Sequence, residues 1–112
     1  MKQFRVFHSD ESYSDLRSIF RYICINLWNH IAANNLYEKI EKRIDSLEFC
    51  PERFQLVDND NPCLCGLRVT HVDNFNIYYR VDNEKEIVTI VRVLYCGVDL
   101  NNIASDNKKE RS

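Results

Sequence analysis

At 112 residues the chain has room for one modest hydrophobic core and no second domain. With 15 Lys and Arg against 17 Asp and Glu, its net charge of -2 gives no general attraction to nucleic acid or to anionic membranes, so contact with either would need a local basic patch. The start MKQFRVFHSD has no apolar core of a signal peptide, and no run approaches the roughly 18 apolar residues of a membrane span. These features and the odd count of 5 Cys predict a cytoplasmic protein with free thiols and no membrane association. Cys63-x-Cys65 is the only close pair. It lacks the two-residue spacer and the second pair of a zinc site, so neither metal nor cofactor is predicted.

The first predicted element is a strand over QFRVFHS, residues 3–9, with Phe4, Val6 and His8 alternating against Arg5 and Phe7. Ser9 or Asp10 can cap a helix whose stripe of Leu16, Ile19, Phe20 and Ile23 extends to Leu27, giving a helix over residues 10–28. Asn29 and His30 read as a turn. A second stripe of Ala33, Leu36, Ile40, Ile44 and Leu47 then runs to about Phe49, and Pro51 ends it by disfavouring helical geometry at Cys50. The two helices form an αα-hairpin. Residues 58–62 read as a loop.

Three strands follow. CLCGLRVTHV, residues 63–72, alternates Leu67, Val69 and His71 with Arg68, Thr70 and Val72. FNIYYRV alternates Phe75, Ile77, Tyr79 and Val81 with Asn76, Tyr78 and Arg80, and Asp73-Asn74 is the tight turn between them. After DNEK comes EIVTIVRVLY, apolar at almost every position and therefore expected at the centre of the sheet with both faces covered. The predicted architecture is α+β: an N-terminal strand, an αα-hairpin and a three-strand antiparallel meander, with the helices on one face. One domain is expected over residues 1–105, with 106–112 a polar, disordered tail.

The helical part DLRSIFRYI…AANNLYEKIEKRIDSLEFCPERF and the sheet part LRVTHVDNFNIYYRVDNEKEIVTIVRVLYCGVDL carry a family pattern. Its ordered core is Pro51-Glu52-Arg53, Arg68, Asn74-Phe75-x-Ile77-x-Tyr79, Arg92-Val93-Leu94-Tyr95 and Asp99. Over about residues 15–103 this set resembles the RelE/ParE family of small bacterial toxins from type II toxin–antitoxin pairs. The resemblance implies a growth-inhibiting toxin of the kind found in plasmid stabilisation, neutralised by a cognate antitoxin that folds on binding. It also implies a working groove on the sheet face away from the helices. RelE-like members cleave mRNA there on the ribosome, whereas ParE-like members poison DNA gyrase.

On that reading Arg68, Arg80, Arg92 and Tyr95 are the catalytic candidates, and Arg68, Asn76, Tyr78, Arg80 and Tyr95 form the binding face. Where RelE-like nucleases often carry an arginine, this chain has Asn76, and Cys96-Gly97-Val98 replaces the family's basic ending. Cleavage by 2′-OH attack needs a proton acceptor, cations on the phosphorane and a proton donor. A lost cationic contact costs about 2–4 kcal/mol of transition-state stabilisation. The expectation therefore leans to a gyrase-type protein target. An endoribonuclease, and a toxin that now only binds its antitoxin, stand as alternatives. The histidines are read structurally, His30 on the surface and His71 at the edge of the core.

Overall fold

The computed structural model describes residues 2–26, 29–57 and 61–100. The predicted tail and domain boundary lie outside them, as do residues 27–28 and 58–60. Strand β1 (Arg5–His8) leads into α1 (Asp10–Asn26) and α2 (His30–Asp45). After 3-10 turns come β2 (Arg68–Val72), β3 (Phe75–Asp82) and β4 (Ile87–Tyr95). One four-stranded sheet has the order β1-β4-β3-β2. The meander is antiparallel, whereas β1 runs parallel to β4.

The helix boundaries have local causes. The Ser9 hydroxyl accepts the Ser12 amide at 3.0 Å, capping α1, and donates to the Val91 carbonyl at 2.7 Å, tying that cap to β4. Asn29 caps α2 through the Ala32 amide at 2.9 Å, so His30 opens the helix instead of sitting in a turn. The α-helical part of α2 ends at Asp45, short of the predicted Phe49, and tightens into a 3-10 turn over Ser46–Glu48. Cys50 adopts a left-handed φ of 49° before Pro51, in keeping with the exclusion of a pre-proline residue from helical geometry.

The second strand is also shorter than expected. Pro62–Leu64 form a 3-10 turn, and pairing starts only at Arg68. Pro62 has no amide for a ladder, and Asn61 accepts the Cys63 amide at 3.0 Å, which closes the turn locally.

Leu16, Ile40, Ile44 and Leu47 of the hairpin segment pack on Phe4, Val72, Ile77, Tyr79, Val88, Ile90 and Val93 of the sheet segment. Ile90 and Val93 are three residues apart, which strict alternation would send to opposite faces. A bulge resolves this: Tyr78 pairs with Arg92 and Tyr79 with Ile90, leaving Val91 as the extra residue. As expected of its composition, β4 lies between β1 and β3, and its Val91 and Leu94 pack against a second cluster on the other face.

Candidate functional site

The β2–β3–β4 face away from the main core is built by cross-strand pairs that share a side: Val69 with Tyr78, His71 with Asn76, and Asn76 with Leu94. Its middle is apolar. Leu64, Leu67, Val69 and Tyr78 form a small core, joined by Val57, Val91, Leu94 and Leu100. Tyr78 is only 6% exposed, so the predicted polar and aromatic groove is largely closed over by the residues that precede and follow the meander.

A polar cluster remains at one end of this face. The Asn76 side-chain oxygen meets His71 Nδ1 and accepts the Cys96 thiol at 3.2 Å, while Asn76 Nδ2 donates to the Tyr78 hydroxyl at 3.0 Å. His71 is exposed; Asn76 and Cys96 are half-buried. With Nδ1 donating to Asn76, the neutral imidazole keeps Nε2 as its acceptor. Burial pushes the Tyr78 hydroxyl pKa up; the hydrogen bond from Asn76 opposes this and Cys96 adds to it. The phenol thus stays protonated at neutral pH. This cluster can accept one proton but supplies no cation.

The arginines expected to supply that charge have protein partners. Arg80 shares the face of Asn76 and Tyr78, but its guanidinium donates to the Cys65 carbonyl and, at 2.8 Å, to the Cys63 carbonyl. Arg92 donates to Asp15 at 2.8 and 3.0 Å, and Asp15 also accepts the Val93 amide at 3.0 Å along the length of β4 that β1 does not cover. Arg68 pairs with Tyr79 and so belongs to the helix-side face; it donates to the Phe54 carbonyl at 2.7 Å and lies 3.3 Å from Glu52.

Tyr95 also leaves the predicted set. It pairs with Phe75, meets that ring edge-to-face at 5.5 Å, and lines a groove with Tyr22, Ile23 and Leu36 of the hairpin. Of the five residues assigned to one binding face, Asn76, Tyr78 and Arg80 share a side, whereas Arg68 and Tyr95 have the opposite parity. His71 is an exposed member of the polar cluster and not a core-edge residue. The two-residue turn at Asp73-Asn74 carried the needed signal, because it pairs Val72 with Phe75 and hence His71 with Asn76 and Arg68 with Tyr79.

Among the described residues, no group of three or more His, Cys, Asp or Glu could hold a metal ion, and no helix is long and apolar enough to cross a membrane.

The family profile described as "ParE toxin of type II toxin-antitoxin system, parDE" matches residues 6–99. The chain belongs to the ParE toxin family. No curated protein matches it. Among solved structures, this ParE-family chain is similar to one described as the chromosomal ParDE system of P. aeruginosa, with TM-score 0.68 at 15% identity over 85% of this chain and 98% of that one. It is also similar to a chain of the RelBE2 toxin–antitoxin complex of Mycobacterium tuberculosis, with TM-score 0.60 at 19% identity over 88% and 97%. A chain of the archaeal RelE–RelB complex of Pyrococcus horikoshii gives TM-score 0.55 at 17% identity over 88% and 100%. These likenesses show that the ParE-family chain shares its α+β fold, a hairpin on a four-stranded mixed sheet, with these toxin–antitoxin structures.

Proposed function

We propose that this ParE-family toxin inhibits growth by binding a protein target of the DNA gyrase type in the cytoplasm, and that a cognate antitoxin neutralises it. The single observation that carries this reading is the engagement of the three candidate cations. Arg68 and Arg92 are ion-paired with Glu52 and Asp15, and Arg80 keeps its charge but is tied to the Cys63 carbonyl, so each guanidinium is already engaged by the chain, which speaks against the unencumbered cations that phosphate chemistry requires. Such a face, apolar in its middle and hydrogen-bonding at one end, suits contact with a protein surface.

One observation supports a second reading as a ribosome-dependent endoribonuclease: exposed His71, its Nδ1 held by Asn76, has the form of a general base. The two readings separate on expression from a tight promoter, with gyrase supercoiling assayed and mRNA ends mapped in the same cells. Growth arrest with inhibited gyrase and intact mRNA is the expected result. Codon-positioned mRNA cuts that disappear in His71→Ala would overturn it in favour of the nuclease.

A further inference from the structure

A pocket of about 430 Å³ opens between the last turn of α2 and the outer edge of β2. Arg43 and Arg53 line it with Phe54, Gln55 and His71. Both guanidiniums lie over the Phe54 ring, 5.4 and 4.5 Å from its centroid. Arg43 is anchored through Nη1, which donates to the Thr70 hydroxyl at 2.6 Å and to the His71 carbonyl at 3.0 Å. Arg53 donates to the Ser46 hydroxyl at 2.6 Å and to the Phe49 carbonyl at 2.8 Å. The two side chains are therefore fixed before anything binds, and little rotamer entropy is left to lose.

Their charge is not cancelled. Among the described residues neither arginine forms an ion pair, whereas Arg68 and Arg92 each do, and no Asp or Glu lines the pocket. Both stand near the C-terminus of α2, whose dipole offsets about half a charge and so leaves more than one. Arg43 Nε and Nη2 and Arg53 Nε make no hydrogen bond among the described residues. A backbone donor joins them. The Val69 amide donates to the Gln55 carbonyl at 3.1 Å, so alternate residues of β2 turn their peptide groups to its outer edge. At His71 the carbonyl on that edge meets Arg43, and the amide beside it has no partner among the described residues.

We propose that this pocket binds the phosphate group of an organic phosphate, carried by a free nucleotide or by the backbone of a nucleic-acid strand, between the Arg43 and Arg53 guanidiniums, the Gln55 amide and the His71 N–H. A guanidinium fork matches two phosphate oxygens, and two forks with a backbone amide surround a tetrahedral anion from several sides. A carboxylate ligand, with two oxygens and one charge, would leave one fork unused. The volume falls within the roughly 300–1,000 Å³ of small-molecule sites, and Phe54 and Val69 give an apolar wall to the group that the phosphate carries. Holding a phosphate asks for net positive charge and free N–H groups, not for the proton transfers of a nuclease, so the site stands whichever target the toxin has.

The test titrates the full chain with adenosine monophosphate, a short oligothymidylate and inorganic phosphate at constant ionic strength. Nuclear magnetic resonance follows the His71 amide and the Arg43 and Arg53 Nε–H signals. The nucleotide should shift all three saturably. Gln55→Glu sets a carboxylate in the pocket without touching the anchors of either arginine, and should weaken binding about 10- to 100-fold with an unchanged denaturation midpoint. Arg43→Gln should weaken it to a similar degree, and Arg17→Gln, an equal loss of charge on α1, should leave it as it was. Oligothymidylate that competes with the nucleotide for these signals would identify a strand phosphate as the ligand, and signals moved by the nucleotide alone would identify a free nucleotide. Inorganic phosphate bound as tightly as the nucleotide would overturn the organic ligand. Shifts no larger than chloride produces, or binding that survives both Gln55→Glu and Arg43→Gln, would overturn the site.

Discussion

Asp15 joins two requirements in one side chain: it neutralises the half-buried Arg92 and satisfies the Val93 amide. Asp15→Ala should cost about 3–5 kcal/mol in urea denaturation, because it leaves a partly buried charge and a strand amide without partners. Replacing both partners, as Asp15→Leu/Arg92→Met, should recover much of that loss by removing the stranded charge, but not the part due to the Val93 amide. An equal loss in the double variant would show that the amide contact dominates. The same pair shows which residue roles were legible. Arg92 in an apolar strand demanded a partner or an edge, and it has both. Alternation along β3 correctly grouped Asn76, Tyr78 and Arg80. Alternation says nothing of which neighbouring residue lies opposite, and the positions of Arg68 and Tyr95 turned on that.

Among the elements, the hairpin was the most legible, because its 3.6-residue stripes span several turns. Ile40 is 1% exposed against the sheet, and Ile40→Ala should cost about 2–5 kcal/mol by chemical denaturation. The connection from Cys50 to Leu67 was the least legible. Its three-residue turns are set by single hydrogen bonds and by contacts distant in sequence, such as that of the Tyr79 hydroxyl, which donates to the Pro51 carbonyl at 2.6 Å. Burial is the main cause that pushes Tyr79 up to about 12, above its ordinary value of 10. The folded-state pKa is the higher one, so the stabilisation is whole below pH 10 and is lost as pH climbs through 12. The loss should be about 1.4 kcal/mol for each pH unit in that window. Tyr79→Phe should cost about 1 kcal/mol at neutral pH and remove this part of the alkaline decline. A difference between the two proteins that stays constant from pH 9 to 12 would contradict the assignment.

At the scale of the whole molecule, composition and pattern supplied the layers but not the strand order. The parallel pairing of β1 with β4 is a long-range choice that no local residue announces, and the Val91 bulge that sends both Ile90 and Val93 into the core is equally silent until β3 is in place. Arg5 pairs with Ile87 and His8 with Ile90, so the first strand to be translated waits for the last. At a synthesis rate of 5–20 residues per second, the interval between them is roughly 4–16 s. Until then the hairpin and part of the meander can form, while β1 has no partner, the Ser9 cap has no Val91 carbonyl to meet and Asp15 has no Arg92. Ribosome-stalled chains ending before residue 87 should therefore be cut rapidly by protease in the β1 region, and chains extended past residue 100 into free solution should resist. A chain built this way completes its sheet only once β4 has been made, so for several seconds of its synthesis any partner meets a surface that is not yet whole.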